Sequence, residues 1–387
     1  MKKKSLRIFW NSNAAWSISG YGQQMADLLP LIRDEGYPLA ICNFYGQDGA
    51  PFELDGIINY GKINHVYGSD AIVHHARDFK ADITMTLQDV WILQPQDLAH
   101  TKRWIPWVPI DHFPCQMPII ERLRMADRII TYSKFGQEEL KRHGLWSTYI
   151  PHSVDTEIYK PVDKAQRKKE ANIDPNIFMC GMVAANKDNP PRKSFQEVMD
   201  AFKAFLQKVP QAYLYIHTNP DMPGGFPIRA YSQVLGIQDR LLYPDNYEMN
   251  FKMGKVQMAQ IYNTFDLLLA PSTNEGFGVP IIEAQACGVP VIVNNSTAMP
   301  ELVEKNITGE ICDVADRRFD SLLSFVDIPS DKSIYDCMMR IYQSNRAKMG
   351  EQARKKMVEE YDTKTVYKKY WSPYLQELEQ EIYGDNK

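Results

Sequence analysis

Apolar, β-rich runs alternate with amphipathic stretches along the whole chain, and few layered architectures accommodate that alternation. Near the start, SLRIFWN is followed by GYGQQMADLLPLIRDEG, in which Met25, Leu28, Leu29 and Ile32 recur at helical spacing. YPLAICNF, ADITMTLQD, RWIPWVPID, ADRIITYS and STYIPHS continue the strand series, and SKFGQEELKRHG separates the last two as a helix. Ser133 offers that helix an N-cap and Gly144 a stop. After a polar, basic segment around residues 155–173 the pattern restarts. IFMCGMVAA, AYLYIHTN, RLLYPDN, DLLLAPS and PVIVNN read as strands, with SFQEVMDAFKAFLQKVP and KVQMAQIYNTF as helices between them. Strands separated by helices predict parallel sheets covered on both faces, the doubly wound α/β arrangement. Two such units of similar size would leave a cleft between them. The tail TKTVYKKYWSPYLQELEQEIYG reads as helix with a break near Pro373.

Composition narrows the class. A length of 387 residues suits two domains, and 44% hydrophobic with 24% charged residues fits full cores under a soluble surface. Mean hydropathy of -0.40 and the lack of a long apolar run argue against a membrane span. The basic start could belong to a signal peptide, but Asn11, Ser12 and Asn13 interrupt any apolar segment there. A net charge of -4 disfavours a broad electrostatic grip on nucleic acid. Six scattered cysteines without a C-x-x-C pair predict reduced thiols and a cytoplasmic protein. No Asp-x-Asp triplet and no histidine pair at helical metal-binding spacing occurs, so a resident divalent metal is not expected.

The stretch TNEGFGVPIIEAQACGVP carries the chemistry. It places Glu275 and Glu283 seven residues apart in the gap, around a glycine-bearing loop between a buried strand and a helix that Pro280 can start and Gly288 can stop. Gly276 and Gly278 let the backbone approach a ligand, and the amides at the helix start suit a phosphate. Two acids beside such a site would repel the phosphate but accept hydrogen bonds from hydroxyls. A nucleotide sugar has ribose and sugar hydroxyls on either side of a diphosphate. Taken singly, Glu283 could merely stabilise the dipole of its helix, and the glycines could serve a tight turn.

NEGFGVPIIEAQACGVPVIV followed by MPELVEKNITGEIC resembles the donor-site signature of retaining GT-B glycosyltransferases of family four, the glycosyl transferases group 1. The resemblance extends over nearly the whole chain, through SGYGQQMADLLPLIRDEGYPL, ITYSKFGQEELKRHGLWSTYIPHSVD and PPRKSFQEVMDAFKAFLQKVPQAYLYI. It implies two Rossmann-like, doubly wound parallel-sheet domains facing each other across a cleft. The expected division is residues 1–158 for the acceptor side, 159–362 for the nucleotide sugar, and 363–387 as a helical tail returning to the first domain. By resemblance, Glu275 lies near the transferred sugar, Glu283 holds the ribose, and Gly276, Phe277, Gly278 and Val279 line the donor.

The same family places an arginine and a lysine after the first strand of its second domain to carry the diphosphate. Here that place reads AANKDNPPRKSF. Lys193 matches the lysine; Lys187 is the better match for the second cation, and Arg192 adjoins Lys193 as the other candidate. In the first domain, Gly20 and Gly22 match the family's glycine loop loosely. His112, at the end of RWIPWVPIDHFP, matches a residue that touches sugar or phosphate, and Asp111 would orient it or touch the acceptor. A structural role suits His112 almost equally, and His152 reads as structural or as a hinge. The implied activity is transfer of a hexose from a UDP- or GDP-sugar co-substrate, with no cofactor and no metal, to a hydroxyl acceptor: glycan, lipid, protein or a modified nucleic-acid base. A phosphorylase or sugar-phosphate synthase of the same fold, and a nucleotide-sugar-binding protein without turnover, remain the alternatives. A dinucleotide-dependent dehydrogenase is disfavoured, since no G-x-G-x-x-G follows the first strand.

Overall fold

The computed structural model describes residues 5–188 and 190–384. The chain divides into two compact units, one formed by residues up to Ser153 together with Asp362 onward, the other by Val154–Tyr361.

The first unit is built on an eight-stranded sheet of order β3-β4-β2-β1-β5-β6-β7-β8. Its strands are β1 (Ile8–Asn13), β2 (Leu39–Tyr45), β3 (Phe52–Leu54), β4 (Ile57–Gly61), β5 (Ile83–Leu87), β6 (Trp104–Val108), β7 (Ile130–Thr131) and β8 (Thr148–Tyr149). All neighbours pair in parallel except β3 and β4, an antiparallel pair at one edge. β5 and β6 are buried at every position, as strands covered on both faces must be. Helix α1 (Gly20–Asp34) follows β1, with Ser19 as its N-cap accepting from the Gly22 amide, and buries Met25, Leu28, Leu29 and Ile32. Helix α2 (Lys134–Arg142) begins on Ser133 in the same way and gives way to Gly144 at φ +73°.

The chain from Thr363 to Tyr383 packs within this unit. It does not break at Pro373: a widened turn at Tyr367–Trp371 absorbs the missing amide, and the helix runs on from Ser372. Trp371 is buried, edge-on to Trp10 at 5.9 Å and to Trp107 at 5.0 Å between ring centroids. Glu35 accepts from Tyr367, from Ser372 Oγ (2.8 Å) and from Gln376 Nε2 (2.9 Å), which fastens the segment to the end of α1.

The second unit has a six-stranded, wholly parallel sheet of order β11-β10-β9-β12-β13-β14. The strands are β9 (Phe178–Val183), β10 (Ala212–His217), β11 (Leu241–Leu242), β12 (Leu267–Ala270), β13 (Val291–Asn294) and β14 (Gly309–Cys312). Chain order therefore reverses between β9 and β12. In doubly wound sheets, loops at the carboxyl ends of the two strands flanking that reversal diverge and leave a crevice for a ligand. Helix α3 (Phe195–Leu206) covers one face with Phe195, Val198, Met199, Phe202 and Phe205, packed with Phe178, Leu214 and Ile216. Helices α4 (Lys255–Tyr262) and α5 (Val279–Ala286) precede and follow β12. A two-stranded antiparallel hairpin, β15 (Val314–Phe319) and β16 (Phe325–Pro329), forms a sheet of its own after β14.

Candidate active site

The loop after β9 and the loop after β12, the two that flank the reversal, meet at Glu275. Arg192 Nη1 donates to Glu275 Oε2 at 3.0 Å and to the Asn274 carbonyl at 2.5 Å. The Lys193 ammonium donates to Glu275 Oε1, which also accepts from Ser272 Oγ at 2.7 Å. The Thr273 amide donates to the Arg192 carbonyl at 2.9 Å, so backbone as well as side chains join the two loops. Burial alone would raise the Glu275 carboxyl. The Arg192 and Lys193 charges and the hydrogen bonds from Lys193 and Ser272 outweigh it, and the pKa falls to about 2. Glu275 is thus a fixed anion between two cations at any physiological pH.

The backbone around this carboxylate is equally constrained. Thr297 Oγ1 accepts from the Glu275 amide (2.9 Å) and donates to the Glu275 carbonyl (2.8 Å). Asn274 Nδ2 donates to the Phe325 carbonyl at 3.1 Å. Asn294 Nδ2 spans the Ser272 and Asp327 carbonyls at 3.0 and 2.8 Å. The β15–β16 hairpin therefore braces the Glu275 loop, a role with no counterpart in the sequence reading. Gly278 ends the loop at φ +114°, a conformation that side chains rarely adopt, and a Cβ there would stand 2.6 Å from Ile281 Cδ1. Gly276 and Phe277 are buried beside it, and Val279 opens α5 with Pro280 in its first turn. Lys193, Ser272, Glu275, Gly278, Pro280 and Ile281 line a small cavity.

Glu283, one turn into α5, is buried, and its Oε2 accepts from the Tyr262 hydroxyl at 2.7 Å. Lys187 stands exposed in the loop after β9, whereas Arg192 reaches the Glu275 carboxylate. Of the residues named from sequence in this unit, the structure brings Arg192, Lys193 and Glu275 into one cluster. Ser272, Asn274, Thr297 and Tyr262 join this site without a sequence signature of their own; Ser272 sits three residues before Glu275, the one local signal for its hydrogen bond.

In the first unit, Gly20 and Gly22 form the start of α1. A Cβ on Gly22 would fall 2.2 Å from Ser17 Oγ and 2.6 Å from the Ala14 carbonyl, so the tight return of the β1–α1 loop requires glycine there. His112 follows β6; it is buried, and its Nδ1 lies 2.6 Å from Asp111 Oδ1. That pairing sets the orientation of the ring. His152 is buried against Tyr132 and Trp107, with centroids at 4.1 and 4.5 Å. All six cysteines are buried thiols. Among the described residues, no helix is long and apolar enough to cross a membrane.

Residues 189–356 match the family of glycosyl transferases group 1. Among curated proteins, the chain is 28% identical over 164 residues to D-inositol 3-phosphate glycosyltransferase of Segniliparus rotundus, a match covering 42% of this chain and 35% of that one. The match to a second such enzyme, from Actinosynnema mirum, covers 48% and 45%, so the chain spans less than half the length of these relatives. Among solved structures, sucrose-phosphate synthase from Thermosynechococcus elongatus superposes with a TM-score of 0.73 at 15% identity, covering 96% of this chain and 99% of that one. These likenesses and the two sheets agree with the signature around Glu275: the second unit carries the match to the glycosyl transferases group 1, and the chain has the GT-B fold.

Proposed function

We propose that this chain is a retaining hexosyltransferase that takes its sugar from a UDP- or GDP-sugar without a resident metal. The observation that carries the reading is the Arg192–Lys193–Glu275 cluster at the strand-order reversal of the second unit. A departing nucleoside diphosphate gains negative charge as its bond to the anomeric carbon breaks, and preorganised cations at that place stabilise it without solvent reorganisation. Lys193 and Arg192 supply those charges. Arg192 takes the second position in place of Lys187, because its guanidinium already reaches the cluster and offers a bidentate fork.

Glu275, kept ionised, holds both cations ready and accepts hydrogen bonds from hydroxyls of the transferred sugar. Glu283 accepts from the ribose hydroxyls, and the glycine loop with the α5 amides receives the phosphates. His112, oriented by Asp111, contacts the sugar or phosphate. The acceptor oxygen attacks the anomeric carbon from the face that the diphosphate leaves, and its proton passes to a diphosphate oxygen. A paired acid and base across the sugar is not needed, and the two glutamates do not act as one. Support for a uridine donor comes from HepE of Anabaena, solved with UDP-glucose, which shares the fold at a TM-score of 0.70 and 16% identity.

Incubation with a panel of UDP- and GDP-sugars, with release of the nucleoside diphosphate followed, tests the reading. Release from at least one donor, with the anomeric configuration kept in the product, is expected. Release of free phosphate, an inverted product, or no release from any donor would overturn it.

A further inference from the structure

Helix α4 ends on Tyr262, a residue with no exposed surface, and its hydroxyl reaches across to α5 to donate to Glu283 Oε2 at 2.7 Å. The two residues are 21 positions apart, on the helices before and after β12. The Tyr262 ring is fixed by its neighbours: Phe265 edge-on at 5.9 Å and Tyr159 at 6.1 Å between centroids. Tyr159 is in turn held from behind, since Arg354 Nη1 donates to the Tyr159 carbonyl at 2.6 Å and to the Ala286 carbonyl at 3.1 Å, at the end of the helix that carries Glu283. Burial first, and the Glu283 charge after it, raise the Tyr262 phenol well above its ordinary range, so it stays a donor.

A glutamate has three rotatable side-chain bonds, and immobilising them on ligand binding costs affinity. A carboxylate whose orientation is set during folding avoids that cost. We propose that Tyr262 is a positioning residue for the donor nucleotide: by holding Glu283 Oε2 it presents the carboxylate to the ribose hydroxyls in its binding orientation. This rests on the reading of Glu283 as the ribose contact. Tyr262 touches no substrate and acts through Glu283 alone.

The test compares binding of UDP, GDP and ADP by calorimetry, and then the 2′,3′-dideoxy form of the tightest of them, to the full chain. Wild type should prefer the ribonucleotide. Tyr262→Phe keeps the ring and removes only the hydroxyl. It should weaken the ribonucleotide roughly tenfold, the scale of one hydrogen bond to a charged group, and leave the dideoxy form unchanged. The ratio of the two affinities then collapses towards that of Glu283→Gln, and KM for the donor rises with kcat held. A merely structural role would weaken both ligands alike and lower the melting temperature with them. 4-Aminophenylalanine in place of Tyr262 keeps a para donor and should retain most of the ratio. It also serves where the phenylalanine chain does not fold, and a collapsed ratio there overturns the proposal. A Tyr262→Phe chain that discriminates as wild type does, while Glu283→Gln does not, also overturns it. Equal affinity of wild type for both forms, or discrimination that survives in Glu283→Gln, removes the ribose reading of Glu283 and the proposal with it.

Discussion

Glu275 is largely enclosed between two cations, with 14% of its side chain exposed, and its low pKa records how strongly they hold it. In the proposed reaction its contact is with the reacting sugar, so Glu275→Gln should lower kcat by about a hundredfold or more, with a small change in nucleoside-diphosphate affinity. Glu283→Gln should do the reverse, since a ribose contact persists in ground and transition states alike. Steady-state kinetics beside calorimetry separates the two; wild-type values in either variant would remove that residue from the site. Arg192 and Lys187 are distinguished in the same way. Arg192→Ala should weaken the nucleoside diphosphate and slow transfer, whereas Lys187→Ala, at an exposed position, should leave both within about twofold. The opposite ranking would restore Lys187 as the second cation. For His112, the alanine variant should slow transfer severely while nucleoside-diphosphate binding by the second unit is kept, and an unchanged rate would make it a structural histidine paired with Asp111.

At the scale of the element, what the sequence revealed follows from how local its signals are. Long apolar runs such as IFMCGMV and DLLLA announced β9 and β12, and the glutamate–glycine signature announced the loop that follows. Ile130–Thr131 and Leu241–Leu242 lie in runs that read as strands, yet only two residues of each pair. The hairpin Val314–Pro329 went unread because β15 is mostly exposed and lacks the buried alternation that marks a half-covered strand. The Arg192–Glu275 pair joins residues 83 apart; the strand order that brings them together is not written in either segment.

Sequence also left the role of His152 open, and the structure gives it a consequence. Burial holds its pKa down to about 3. In the unfolded chain it takes a proton near its ordinary value of about 6.5. Between those values the unfolded state binds more protons, so stability is complete above about 6.5 and declines as pH falls towards 3. By pH ~5 the loss from this residue should reach roughly 2 kcal/mol. All seven tryptophans lie in the first unit, so tryptophan fluorescence follows its unfolding in the intact chain. His152→Phe, which suits the Trp107–Tyr132 cage, should flatten the dependence of that transition on pH between about 7.5 and 5. An unchanged slope would assign the acid sensitivity to other groups.

For the molecule as a whole, the central claim is that the protein's own charges carry the diphosphate. The sequence supports it through the absent Asp-x-Asp triplet, and the structure through the convergence of Lys193, Arg192 and Glu275 at the reversal of strand order. The most direct measurement is the rate of sugar transfer by wild type in excess EDTA, set against Lys193→Ala in magnesium. Wild type should keep nearly its full rate in EDTA. Lys193→Ala should lose about a hundredfold to a thousandfold despite the added metal, the scale of removing one preorganised charge contact from a developing anion. Abolition of transfer by EDTA, with the lysine variant still active in magnesium, would contradict the claim and assign the diphosphate to a metal.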